Sequence, residues 1–402
     1  MNLFESLPSE TRRELNAAAA LIDKTFPLPR RFRAALPAGV AELSRLLTSG
    51  RGERRLSYLG QPNMLSAYLR YFLPWNLYRL CRLLPALDIS LAAGDLVVDL
   101  GAGPLTFTAA LWISRPDLRS LPLEFRCIDL SGPALEAGKS FFAALAGGAS
   151  PWKIQTLKGP AGGRRREKFL GPDSFTGGRP ASLVCAVNVL NEMYSGIPHG
   201  DQAGLARCAA NSACLLANFA APAASILVVE PGVPRCGEFI SLLRGLLMEQ
   251  KRFPRSPCPH HNACPMPGGL SRAGKNRWCH FVFETDDAPR PLHTLSAAAG
   301  LPKERAALSF LLAGPAAVCP PCGGEEAVRI VSDAFPLPGN RQGRYGCWAR
   351  GLALAAAEQS VIRNLAPGAL IYAGFEKNAV RDPKSGAIIV EPQKRRAKEE
   401  EH

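Results

Sequence analysis

Residues 256 to 269 read SPCPHHNACPMPGG, and WCHF follows at 278 to 281. Cys258, Cys264 and Cys279 thus fall in one segment without apolar periodicity, and prolines flank the first two, which calls for a stiff loop rather than a helix. Thiolates on rigid loops are soft-metal ligands. Zinc ribbons usually show paired C-x2-C knuckles, which are missing here, so iron–sulfur ligation is as reasonable as zinc, with His260, His261 and His280 as further zinc donors. Cys347 or the Cys319-Pro-Pro-Cys322 pair could complete the set.

A second stretch, Val97-Val98-Asp99-Leu100-Gly101-Ala102-Gly103-Pro104, puts an acid at the end of an apolar run and then two glycines, which let a backbone pass close to a ligand. A nucleotide-like cofactor suits that geometry. Asp129, in Cys-Ile-Asp-Leu-Ser, ends the next apolar run and could accept bonds from both hydroxyls of a ribose. The dinucleotide fingerprint would need a further Gly or Ala three residues after Gly103; this chain has neither, which disfavours NAD. Ala186 to Glu192, AVNVLNE, falls where a fourth strand would end. It is neither the N/D-P-P-Y/F motif of base amino-group methylation nor a P-C nucleophile. No catalytic acid or base stands out, and Asn188 and Asn191 read as caps of a strand-to-helix turn.

The elements that must position these residues follow from patterning. DLVVDL (95–100), EFRCIDL (124–130), ASLVCAVNVL (181–190) and SILVVEPG (225–232) are too continuously apolar for half-exposed strands, and so predict central parallel strands covered on both faces. GPALEAGKSFFAALA and GEFISLLRGLLMEQ carry helical spacing between them, an α/β alternation. Residues 1–90 predict a helical basic region: SETRREL opens a helix with Ser at its cap, and Arg30, Arg31, Arg33, Arg51, Arg54 and Arg55 make either a solvated face or an RNA-facing one. Residues 91–335 form the α/β domain, with the cysteine-rich insertion at about 252–305. Residues 159–180 form a basic, Gly-rich surface loop. A helical piece is expected near LPKERAALS, and strands at SFLLA and AVRIVSD. Residues 336–402 form a small β-rich unit, with RYGCWARGLAL and GALIYAGF as strands and KRRAKEEEH as a charged tail.

Bulk composition narrows the setting. A 402-residue chain with 47% hydrophobic residues buries a sizeable core, and no run reaches the roughly 20 apolar residues of a membrane helix. Its formal charge of +14 favours an anionic partner such as nucleic acid. The start MNLFESLPSETRRELN lacks the order of a secretion signal and is too acidic for a transit peptide, so a cytoplasmic, reducing setting is expected, with no membrane partner and a monomeric chain. Most of the 12 cysteines should then be free thiols, with Cys81, Cys127, Cys185, Cys208 and Cys214 read as small buried apolar groups.

These motifs together carry a resemblance. The acid-GxG element with an acid ending the second strand resembles the seven-strand class I S-adenosylmethionine-dependent methyltransferase fold, a Rossmann-like core. Leu105 stands where many members have a third glycine. With C-P-H-x3-C-P, W-C-H-F and a late cysteine after a strand, the chain resembles the mitochondrial small-ribosomal-subunit methyltransferase-like assembly factors (methyltransferase-like protein seventeen) and their fungal and bacterial counterparts. The likeness runs from about Tyr58 to Cys347. It implies that Asp99, Gly101, Ala102, Gly103, Pro104, Asp129, Leu130 and Asn188 line an S-adenosylmethionine site, and that Cys258, Cys264, Cys279 and Cys347 hold a [4Fe–4S] cluster, with zinc the alternative. It implies binding to small-subunit rRNA during ribosome assembly. An active rRNA methyltransferase is the second reading, and a small-molecule or protein methyltransferase with structural zinc the third.

Overall fold

A computed structural model of the 402-residue chain describes residues 2–48, 58–148, 150–160, 175–270, 276–315, 325–374 and 379–392. Arg51, Arg54, Arg55, Cys319, Cys322, most of the Gly-rich loop and the charged tail lie outside these residues.

The four continuous apolar runs form β1 (Leu96–Leu100), β2 (Glu124–Asp129), β4 (Ala181–Val187) and β5 (Ala220–Pro231), with β3 (Lys153–Lys158) beside β2. All five are parallel. Alternate β1 residues serve two cores: Val97 packs with the helices Leu73–Leu83, Thr106–Ser114 and Gly132–Leu145, whereas Leu96 and Val98 pack with Gln202–Phe219 and Pro234–Glu249. A strand covered on both faces has no polar side to show, which is why these runs lack alternation.

The chain then passes through β6 (Phe253–Ser256), a two-stranded ribbon of β7 (Pro267–Leu270) and β8 (Asn276–Trp278), β9 (Phe281–Glu284) and β10 (Arg305–Gly314). The strand order is β3-β2-β1-β4-β5-β10-β6, with β9 also on β10. β10 is antiparallel to both β5 and β6. The order reverses between β1 and β4, so a crevice opens at their carboxyl ends, where ligands of doubly wound sheets bind.

A second, six-stranded sheet contains β11 (Glu325–Ile330), β12 (Phe335–Leu337), β13 (Arg341–Trp348), β14 (Gly351–Glu358), β15 (Leu370–Gly374) and β16 (Ile388–Val390). Its core gathers around the fully buried Trp348. No helix of the described residues is long and apolar enough to cross a membrane.

Four local expectations are corrected. LPKERAALS is not helical: the helix is Arg290–Ala298, Gly300 follows at φ +68°, and Arg305 onward extends into β10. Its apolar spacing is overridden by pairing with β5 and β9 on either side. RYGCWARGLAL is not one strand but the hairpin β13–β14, turning at Ala349-Arg350. The first helix starts at Ser9 with Pro8 as its cap, so Ser9 makes no capping bond. Of the five cysteines read as buried, Cys81, Cys127 and Cys185 are; Cys208 is partly exposed and Cys214 is exposed, because its position on Gln202–Phe219 faces away from the sheet.

Candidate functional sites: a cofactor crevice and a four-cysteine cavity

The acid-GxG loop leaves β1 at the crevice. Gly101 and Gly103 have φ of +73° and +52°, a backbone region that glycine enters at little cost. At Gly101 a Cβ would also meet Val189 Cγ2 at 2.2 Å, so the residue is fixed by packing as well as by conformation. Leu105, where a third glycine was absent, takes a left-handed φ of +55° and is fully buried. The close approach comes instead from the helix after β2, Gly132–Leu145, where a Cβ on Gly138 would stand 2.4 Å from the Pro104 carbonyl carbon.

Asp129 holds this loop to the end of β2. Its Oδ2 accepts from Gly103 N at 2.9 Å and its Oδ1 from Ser131 N at 2.8 Å. Burial raises its pKa while the two backbone donors pull it down. Leu130, next along, is 38% exposed and is not among the residues lining the cavity at this crevice.

Asp99, Gly101, Ala102 and Asn188 line a cavity together with Tyr68, Asn76 and Thr106. Asp99 is 1% exposed, and its Oδ1 accepts only from the Cys185 thiol, at 3.4 Å. Its Oδ2 is buried with no hydrogen-bond partner among the described residues. Burial, with Asp129 adding to it, pushes the Asp99 carboxyl up to about 7. An orphaned acceptor beside two glycines is what a ligand bearing an ammonium group would complete, so the residues present fit S-adenosylmethionine.

Sequence reasoning missed two groups here. Tyr68 comes from a π-helical turn, Tyr68–Phe72, that has no sequence signal; burial holds its hydroxyl well above the ordinary range, and Asn76 and Thr106 bond to it. Glu230, in Val-Val-Glu-Pro-Gly, was legible as an acid at a strand end. It is fully buried and accepts from Leu190 N at 2.9 Å, Asn191 N at 3.3 Å and Asn191 Nδ2 at 2.7 Å. Burial raises it to about 8. With both oxygens engaged, it fastens β5 to the turn after β4 rather than offering a free base. Asn191 thus bonds to Glu230 instead of capping, while Asn188 turns the chain at φ +55°.

The second site is a cavity lined by Cys258, Cys264, Cys279 and Cys347, with Arg244 and Arg329 among its walls. It encloses about 430 Å³ of unfilled space, counting the part open to solvent. Three pieces of chain meet there: the proline-rich loop, Cys279 between β8 and β9, and β13. The two guanidiniums fasten them. Arg244 Nη2 donates to His260 O and Asn262 O, each at 2.9 Å. Arg329, 6% exposed, donates from Nε to Pro257 O at 3.0 Å and from Nη1 to Gly368 O at 2.8 Å. Burial lowers its pKa to about 10, and the neighbouring cysteines oppose that shift. Burial likewise raises the thiols of Cys258, Cys279 and Cys347. His260 Nε2 lies 3.2 Å from Cys347 Sγ.

Among the described residues, no three His, Cys, Asp or Glu side chains are grouped so as to hold a metal ion. The four sulfurs ring a cavity instead. Four soft donors with two buried cations to offset negative charge are a chemically suitable set for an anionic polynuclear cluster.

Residues 205–334 match the family described as mitochondrial small ribosomal subunit Rsm22, so the resemblance read from the sequence holds across that stretch, which carries Cys258, Cys264 and Cys279. Cys347 lies beyond it. No curated protein matches the chain by sequence. Among solved structures, TrmN from Thermus thermophilus is 16% identical over 42% of this chain and 40% of that one, with a TM-score of 0.27. An S-adenosylmethionine-dependent methyltransferase from Geobacter sulfurreducens, in complex with S-adenosyl-L-homocysteine, is 12% identical over 68% and 98% of the two chains (TM-score 0.31). Magnesium protoporphyrin IX methyltransferase from Synechocystis PCC 6803, with bound S-adenosylmethionine, is 11% identical over 69% and 97% (TM-score 0.34). The core has the class I methyltransferase-like fold, as its strand order already shows; similarity this low says nothing of substrate.

Proposed function

From the Rsm22 match over residues 205–334, we propose that this chain is an rRNA-binding assembly factor of the small ribosomal subunit, built on a methyltransferase fold, with an S-adenosylmethionine site and a [4Fe–4S] cluster. The observation that carries the reading is that the matched segment's three cysteines and the more distant Cys347 line one cavity. The cofactor would lie against Asp99, Gly101 and Gly103, near Asp129. Cys258, Cys264, Cys279 and Cys347 would hold the cluster, which when bound supplies a covalent cross-link between the proline-rich loop and the second sheet. Arg244 and Arg329 offset charge and keep the loop in register.

Glu230 is not free to act as a base, because its oxygens are already taken up by backbone and amide donors. The orphaned Asp99 Oδ2 supports cofactor binding. Active rRNA methylation is the second reading; loss of one specific methyl mark on deletion would establish it. The proposal carries the cytoplasmic expectation with it, although the matched family is described as mitochondrial.

The deciding experiment is anaerobic purification of wild type and Cys347→Ser, with iron, sulfide and zinc assays and crosslinking to small-subunit precursor rRNA. Brown protein with about four irons, lost in the variant, and recovery of precursor rRNA are expected. Colourless protein with about one zinc would discard the cluster, and no rRNA crosslink would discard the assembly role.

A further inference from the structure

Pro29 to Ala35 are all exposed, and the short helix within them, Arg30–Arg33, buries no residue. Surface helices hide one apolar stripe. This one shows everything, including Phe32, which is 49% exposed. The Arg31 guanidinium lies over the Phe32 ring, 4.8 Å from its centroid. Among the described residues, no ion pair involves Arg30, Arg31 or Arg33, whereas Arg70, Arg115 and Arg119 nearby in the helical layer all have carboxylate partners.

The protrusion is nonetheless built. Phe32 N donates to Pro29 O at 2.9 Å and Arg33 Nε to Leu28 O at 3.1 Å, between Pro27 and Pro29, which restrict the backbone. At its base Arg70 donates to Phe26 O and pairs with Asp23 at 2.9 Å. Arg70 belongs to the same π-helical turn that sends Tyr68 into the cofactor cavity.

We propose that residues 29–35 are a finger for single-stranded RNA, in which Arg30 and Arg31 meet phosphates and Phe32 stacks on an unpaired base. The inference rests on the rRNA-binding reading above and names where the chain meets its RNA. Unpaired cations on a chain of net charge +14 are complementary to a polyanion. The exposed ring selects among polyanions: a π-face held in place by a guanidinium gives a lipid headgroup nothing to stack on it, whereas an unstacked base does. In an A-form duplex the base faces are covered, so a single strand or loop is the form that fits.

The test uses the full chain and a fluorescein-labelled 12-nucleotide single-stranded RNA of mixed sequence, followed by anisotropy across a salt series, with a 12-base-pair RNA duplex and phosphatidylserine-containing vesicles as competitors. Wild type should prefer the single strand. Arg30→Gln/Arg31→Gln should weaken binding and reduce the log–log salt slope by about 1.4, at about 0.7 per phosphate. Phe32→Ala should cost about tenfold with the slope unchanged, and Phe32→Trp should keep wild-type affinity. None of these side chains is buried, and circular dichroism checks that the fold persists. Wild type that binds the single strand with both variants unchanged, or that prefers duplex or vesicles, overturns the finger alone. Wild type that binds no RNA overturns the assembly-factor reading as well.

Discussion

Asp99 is caught between two environments. Its carboxyl sits at the ligand crevice, yet among the described residues one oxygen has only a thiol donor and the other has none, so its charged form is costly until a ligand arrives. A folded-state pKa of about 7 lies above the ordinary value near 4, so the folded protein binds the extra proton. The Asp99 contribution to stability is therefore full below about pH 4 and is lost as pH rises toward 7, by up to about 4 kcal/mol. Asp99→Asn should raise the melting temperature of the ligand-free protein at pH 8 while changing it little at pH 4. It should also weaken S-adenosylmethionine binding, read by calorimetry; equal pH profiles for wild type and variant would remove Asp99 from this role. The sequence pointed to Asp99 because acid-GxG is a local pattern. It gave no hint of Tyr68 or Arg329, whose positions depend on contacts between remote segments.

At the scale of elements, the parallel strands were readable because burial on both faces leaves no polar alternation. β10 was half readable: SFLLA is apolar enough, but its first half pairs with β5 and β9 and looks helical in isolation. Because β11 pairs with β13 and β15, we place the boundary of the second structural unit ahead of Glu325 rather than at residue 336. Arg329 on β11 is the clasp between this unit and the proline-rich loop. Arg329→Leu would take the guanidinium donor from the buried Pro257 O and one of two donors from Gly368 O, which keeps Leu3 N, at a cost of about 1–3 kcal/mol. Urea unfolding should show a lower midpoint, and proteolysis should reach the 256–269 loop first. A variant as stable and resistant as wild type would mean that the loop docks without its guanidinium.

Across the whole molecule, the first residues tie together what the sheets leave separate. Leu3 N donates to Gly368 O at 3.2 Å, beside the second sheet. Phe4 stacks on Phe283 at 4.8 Å and meets Phe281 and Phe310 in the core. Leu7 N donates at 2.9 Å to Asp287, which also pairs with Arg82 at 2.9 Å and accepts from Tyr78 at 2.6 Å. Phe4→Ala should cost about 3–5 kcal/mol in calorimetric unfolding despite its place four residues from the start; a loss under about 1 kcal/mol would show that this segment only rests on the core. Sequence alone determined the α/β core, the acid-GxG crevice and the cysteine loop, because periodicity, glycine conformation and proline stiffness are properties of short segments. The resemblance had named Cys347 with Cys258, Cys264 and Cys279, but spacing had left its place open; only the tertiary structure shows the four lining one cavity, Glu230 held at a turn, and Phe32 outside the core, since each depends on which distant surfaces the chain buries against one another.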